Sequence, residues 1–115
     1  RVNVFVYLND DWREDFGGHL EIWNRNLTMC GARVLPMLGR VVAFQTTDFS
    51  YHGHPHPLTA PTGRSRRSIA MYYYTVRRPA TECFSGDCNR AHSTVWAEVD
   101  CRRCEGSCCA DACDR

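Results

Sequence analysis

The sequence predicts an all-β domain, and three observations carry that expectation. Short runs rich in β-branched and aromatic residues recur between turn signals. No stretch places apolar residues at the 3.6-residue period of an amphipathic helix. No Rossmann or P-loop glycine pattern is present. Strands at this spacing suggest a sandwich or barrel, and 115 residues allow one such domain at most.

The first run, Val2 to Leu8, reads as a strand. Residues two apart share a face, so Val2, Val4, Val6 and Leu8 oppose Asn3, Phe5 and Tyr7. The aliphatic face calls for another layer, and no amphipathic helix in these residues provides one. This expectation, with a start at Arg1 already inside a strand-like run, reads the chain as a piece of something longer. Asn9-Asp10-Asp11 breaks the strand, and Asp15-Phe16-Gly17-Gly18 is a turn signal. A second strand is expected from His19 to Trp23, with Leu20 and Ile22 on one face and His19, Glu21 and Trp23 on the other. Residues 24 to 31 read as polar loop and Arg33 to Leu38 as a short edge strand, since Pro36 cannot donate to a central ladder. Arg40 to Gln45 reads as a further strand, and Arg64 to Thr75 as the last. In that last strand Arg66, Ser68, Ala70, Tyr72 and Tyr74 share one face, and Arg67, Ile69, Met71 and Tyr73 the other.

Composition narrows the function classes. A net charge of +1 gives no global field for nucleic acid or a membrane surface, and no apolar run reaches a transmembrane length. Of eight cysteines only Cys30 precedes residue 83, whereas a secreted scaffold would spread its bridges through the fold. The body therefore reads as a cytoplasmic-type domain over residues 1–97, followed by a Cys-rich, disordered tail over 98–115.

Chemistry concentrates between Ser50 and Thr75. His52, His54 and His56 alternate with Gly53, Pro55 and Pro57, and the prolines end regular structure soon after His52. That leaves His52 as the histidine held on a strand end, with His54 and His56 at the pocket mouth. On the last strand Arg66 and Ser68 supply a planar fork and a hydroxyl, and Ala70 leaves room, as an anion pocket requires. Taken alone, these features are also compatible with a solvent loop and a surface arginine cluster.

The order of motifs resembles iron(II)/2-oxoglutarate-dependent oxygenases of the prolyl-4-hydroxylase-like kind. YLNDDW followed by GGHLEIW, then His52, then R-x-S at Arg66 and Ser68, carries that likeness over roughly residues 1–96. HSTVW at His92 to Trp96 still has a family-like look. The resemblance implies the C-terminal part of a double-stranded β-helix (jelly-roll, cupin-like). It implies iron(II) (Fe2+) and 2-oxoglutarate as cofactors, with ascorbate as an accessory reductant, and hydroxylation of a prolyl or related residue in a protein or peptide partner. It assigns His52 to the metal, Arg66, Ser68, Tyr7 and Leu20 to 2-oxoglutarate, and Arg1 to the substrate. The family's other two metal ligands come as H-x-D, and no H-x-D occurs in these residues. The expectation is that those ligands lie upstream and that this piece alone is inactive.

Two other readings compete. Cys83-x4-Cys88 with Cys101-x2-Cys104 has spacing similar to a zinc knuckle, which would make the chain a small zinc-binding interaction module. A non-catalytic β-sandwich binding domain would keep the fold without the metal.

Overall fold

The computed structural model describes residues 1–83 together with Cys88, Ala97 and Arg103. Six strands form in order: β1 (Val2–Tyr7), β2 (Leu20–Trp23), β3 (Cys30–Val34), β4 (Val41–Gln45), β5 (His52–Gly53) and β6 (Ser68–Tyr73). They make two three-stranded antiparallel sheets, ordered β4-β1-β6 and β3-β2-β5. The all-β expectation holds, and the described residues contain only 3-10 turns besides the strands, at Glu14–Phe16 and Ala80–Glu82.

Register decides which side chains meet. On β1, Phe5 lies opposite Val42 and Ala70, and Tyr7 lies opposite Ser68. Directly opposed residues share a face, so Asn3, Phe5, Tyr7, Val42, Phe44, Ser68, Ala70 and Tyr72 form one side of this sheet. In the second sheet Ile22 lies opposite both Ala32 and His52, which puts His52 on the Leu20/Ile22 side. The ring of Phe44 packs edge-on against His52, with centroids 4.7 Å apart. That contact shows the two inner faces turned toward one another.

The core sits at one end of this arrangement. Tyr7, Trp12, Phe16, Leu20 and Trp23 are buried, and each such side chain contributes about 1.5–3 kcal/mol through removal from water. Trp12 and Phe16 meet edge to face, and the Trp12 indole donates to the Gly17 carbonyl at 3.0 Å. At the opposite surface of the first sheet Val2, Val41, Ile69 and Tyr73 are exposed, and on the inner side Tyr72 is exposed as well.

Several boundaries differ from expectation. The third strand is Cys30–Val34 rather than Arg33 to Leu38, because Pro36 is turned inward, with its carbonyl accepting from Asn9. A bulge between Ile22 and Trp23 absorbs Gly31 and lets β3 begin early. The last strand opens at Ser68, two residues after Arg66. His52 begins a two-residue strand instead of closing a longer one.

Candidate functional site

The site starts from the asparagine two residues past the end of β1. Asn9 is buried. Its amide nitrogen donates to the carbonyls of Pro36 at 2.7 Å and Arg67 at 3.1 Å, and its oxygen accepts from the Arg67 backbone N–H at 2.6 Å. A further bond from the Leu8 N–H to the Arg67 carbonyl extends the sheet ladder past Ser68. These bonds fix the backbone at Arg67, and so the direction in which Arg66 leaves it.

Arg66 turns toward Tyr7. Its Nε donates to the Gly18 carbonyl at 2.7 Å and its Nη2 to the Tyr7 hydroxyl oxygen at 3.3 Å. The guanidinium also lies 5.1 Å from the centre of the Tyr7 ring, a cation–π distance. No other hydrogen bond of this guanidinium forms among the described residues, which leaves donors for an anion. Tyr7 is fully buried. Burial raises its phenol above the ordinary tyrosine value, and the charge and hydrogen bond of Arg66 offset only part of that rise. Tyr7 is therefore a neutral hydroxyl that accepts from Arg66 and keeps its own proton to donate.

Gly18 makes this approach feasible. It has φ +71°, and a Cβ there would lie 2.6 Å from Leu58 Cδ2 and 3.0 Å from Arg66 Cδ. The glycine pair thus provides both a left-handed turn and the space that the arginine stem fills. Leu20, at 3% exposure, sits two residues further on, and Ser68 lies directly opposite Tyr7.

His52 is placed differently. It is exposed, and its Nδ1 lies 2.7 Å from the Ser50 carbonyl. A carbonyl can only accept, so Nδ1 carries a proton, and in a neutral ring the lone pair is on Nε2. Arg1 is at the other end of the inner face from Arg66, with its guanidinium 5.5 Å from the Tyr74 ring centre.

His54 and His56 do not line this region. They border a separate cavity of about 450 Å³ with Glu14, His19, Glu21 and Arg33, on the opposite side of β2 from Leu20. Size does not make it the site, because its carboxylates already have partners. Glu14 pairs with His19 at 2.8 Å, Asp15 with Arg13, and the buried Glu21 accepts from Trp23 at 3.1 Å and faces Arg33 at 3.6 Å.

The family model of the 2OG-Fe(II) oxygenase superfamily matches residues 1–74. The chain belongs to this superfamily. Its members are iron(II)- and 2-oxoglutarate-dependent oxygenases, and the matched span contains Tyr7, Leu20, His52, Arg66 and Ser68. No curated protein and no solved structure matches the chain significantly.

The residues present fit the two cofactors unequally. Arg66, Tyr7 and Ser68 suit a carboxylate, with a fork and two hydroxyls around one point of the sheet. Toward iron the chain offers His52 with Nε2 available, and among the described residues no group of three or more His, Cys, Asp or Glu gathers to hold a metal. Cys83 and Cys88, counted above as zinc ligands, are joined to each other by a disulfide and are not free thiolates. The remaining tail cysteines, the HSTVW segment and the 97/98 boundary lie outside the described residues.

Two contributors were not singled out from the sequence. Asn9 carries a strong signal, since a short amide directly after a strand commonly satisfies stray backbone groups. Leu58 carries none, because its contact with Gly18 depends on how the proline-rich loop returns.

Proposed function

We propose that this oxygenase is of the prolyl-4-hydroxylase-like kind, acting on a C–H bond of a prolyl or related residue in a protein or peptide. The observation that carries the reading is the pair of buried Tyr7 and half-buried Arg66 seated against Gly18. In this reading the two facing sheets belong to a jelly-roll (double-stranded β-helix).

Arg66 accepts the distal carboxylate of 2-oxoglutarate in its fork. Tyr7 donates its hydroxyl proton to the same carboxylate, and Ser68 adds a third donor. Leu20 walls the carbon chain and excludes water. His52 binds iron through Nε2, and its Nδ1–H bond to Ser50 keeps the ring oriented. Bound iron with 2-oxoglutarate supplies oxygen activation coupled to decarboxylation of the co-substrate. No H-x-D lies in these 115 residues, and the H-x-E at His19 and Glu21 is turned to the side of β2 away from His52, where His19 bonds Glu14 and Glu21 accepts from Trp23, so neither motif completes the ligand set here. Arg1, on the Tyr74 ring, is the contact offered to the peptide.

The test is 2-oxoglutarate-dependent succinate release with iron(II), measured on this chain and on a form of the protein that carries an H-x-D pair. The reading expects release from the second and not from the first, and its loss in His52→Ala. Release that survives His52→Ala would overturn the assignment of the metal ligand.

A further inference from the structure

We infer that residues 78–83, beyond the span matched by the family model, form a strap that positions His52, an inference that rests on His52 being the iron ligand. His52 needs such support, because β5 is two residues long and the histidine is exposed. Its ring is oriented by the Nδ1 bond to the Ser50 carbonyl. With the edge contact from Phe44, whatever fixes that carbonyl helps to set the direction of Nε2.

The strap reaches the loop before His52 at two residues. Arg78 forms a buried ion pair with Asp48, their side chains only 5% and 6% exposed. Arg78 also donates to the Glu82 carbonyl at 2.9 Å, and the same carbonyl accepts from the Asp48 N–H at 3.0 Å. Gln45, at the end of β4, donates to the Glu82 carboxylate at 2.8 Å. Within the loop, the Ser50 hydroxyl accepts from the Thr47 N–H at 3.0 Å and bonds the Thr47 hydroxyl at 3.0 Å. The Thr47 hydroxyl in turn accepts from the Phe49 N–H at 3.1 Å. Bonds from Arg78 and Glu82 thus hold Asp48, bonds between Thr47 and Ser50 hold the rest of the loop, and the main chain joins the two sets and leads to the Ser50 carbonyl beside the imidazole. The Cys83–Cys88 disulfide closes the strap where it leaves Glu82.

A buried ion pair is a weak source of stability but a strong directional constraint. Arg78 and Asp48 are accordingly positioning residues, acting on the metal ligand through a backbone carbonyl.

Long-range 15N–1H spectra of the full chain, recorded where imidazole is neutral, read the tautomer of His52 without iron or turnover. Wild type should carry its proton on Nδ1. The double substitution Arg78→Met with Asp48→Leu keeps apolar volume in place of the pair, an exchange that folds tolerate. It should release His52 into a mixture of both tautomers, and in a form that binds metal it should weaken cobalt(II) binding about 10- to 100-fold. A second measurement needs no variant. In urea below global unfolding, exchange of the Asp48 amide and the change of His52 tautomer should come in one step. An Nε2-protonated wild type, an unchanged tautomer in the folded double variant, or a tautomer that outlasts opening of the Asp48 amide would each overturn the strap. None of these outcomes depends on succinate release, so failure of the strap and failure of the oxygenase reading are separable.

Discussion

The two ends of the inner face are built to different standards. At the Tyr7 end Tyr7 is fully buried, Arg66 is tied to Gly18, and Asn9 locks the backbone beside it, while Ser68 opposite Tyr7 is exposed. At the His52 end one exposed imidazole stands on a two-residue strand, oriented by a carbonyl and an edge contact with Phe44. The difference fits the roles proposed for the two ends. A carboxylate needs donors already aimed at it, since a fork that must be ordered on binding loses affinity. A metal ligand needs an accessible lone pair and a fixed direction, which a single back-side hydrogen bond supplies.

If that contrast is right, the two ends should fail in different ways. In a form of the protein that releases succinate, His52→Ala has the largest expected effect: release falls to background, with the fold intact. Circular dichroism of the variant checks the fold, and collapse of the spectrum would mean that His52 is structural. Arg66→Lys comes next. Lysine keeps the charge and loses the fork, so the apparent 2-oxoglutarate constant should rise about 10- to 100-fold, corresponding to a charge-assisted bond of about 1.5–3 kcal/mol. Asn9→Ala should act on stability rather than chemistry. It strands the Arg67 N–H and the Pro36 carbonyl, and denaturant unfolding should show a loss of about 1–3 kcal/mol.

The smallest effect sharpens the description of Tyr7. Its folded-state phenol titrates above the ordinary value because burial disfavours the phenolate. The sign follows: this contribution is fully present below about pH 10, the unfolded tyrosine value, and is lost as pH rises through the higher folded value. An ultraviolet titration should show one tyrosine ionising late, and Tyr7→Phe should remove that step. A late step that persists in Tyr7→Phe would show that burial at this position does not govern it.

Much of the anchor end was legible in the sequence, for physical reasons. Alternation along β1 and β6 puts Tyr7, Arg66 and Ser68 on one face, and period-2 logic survives errors in strand boundaries. That is why Arg66 keeps its place although β6 begins at Ser68. The glycine pair announced a turn, but the sequence could not show that Leu58 and Arg66 would fill the space left by Gly18. The histidine end was legible only in part. His52 takes the inner face through its pairing with Ile22. His54 and His56 were expected at the pocket mouth, and they line the cavity shared with His19 and Glu21. The third strand was misplaced because Pro36 marks an edge by its missing donor, whereas here its carbonyl serves Asn9.

The most direct test of the anchor is a 2-oxoglutarate titration of Arg66→Lys and Arg67→Lys beside wild type, in a form of the protein that releases succinate. Arg67 is exposed and only its backbone takes part in the Asn9 bonds, so its lysine variant should follow the wild-type curve while that of Arg66 shifts to about 10- to 100-fold higher concentration. A shift in Arg67→Lys with none in Arg66→Lys would place the carboxylate on the other face of the strand and contradict the account.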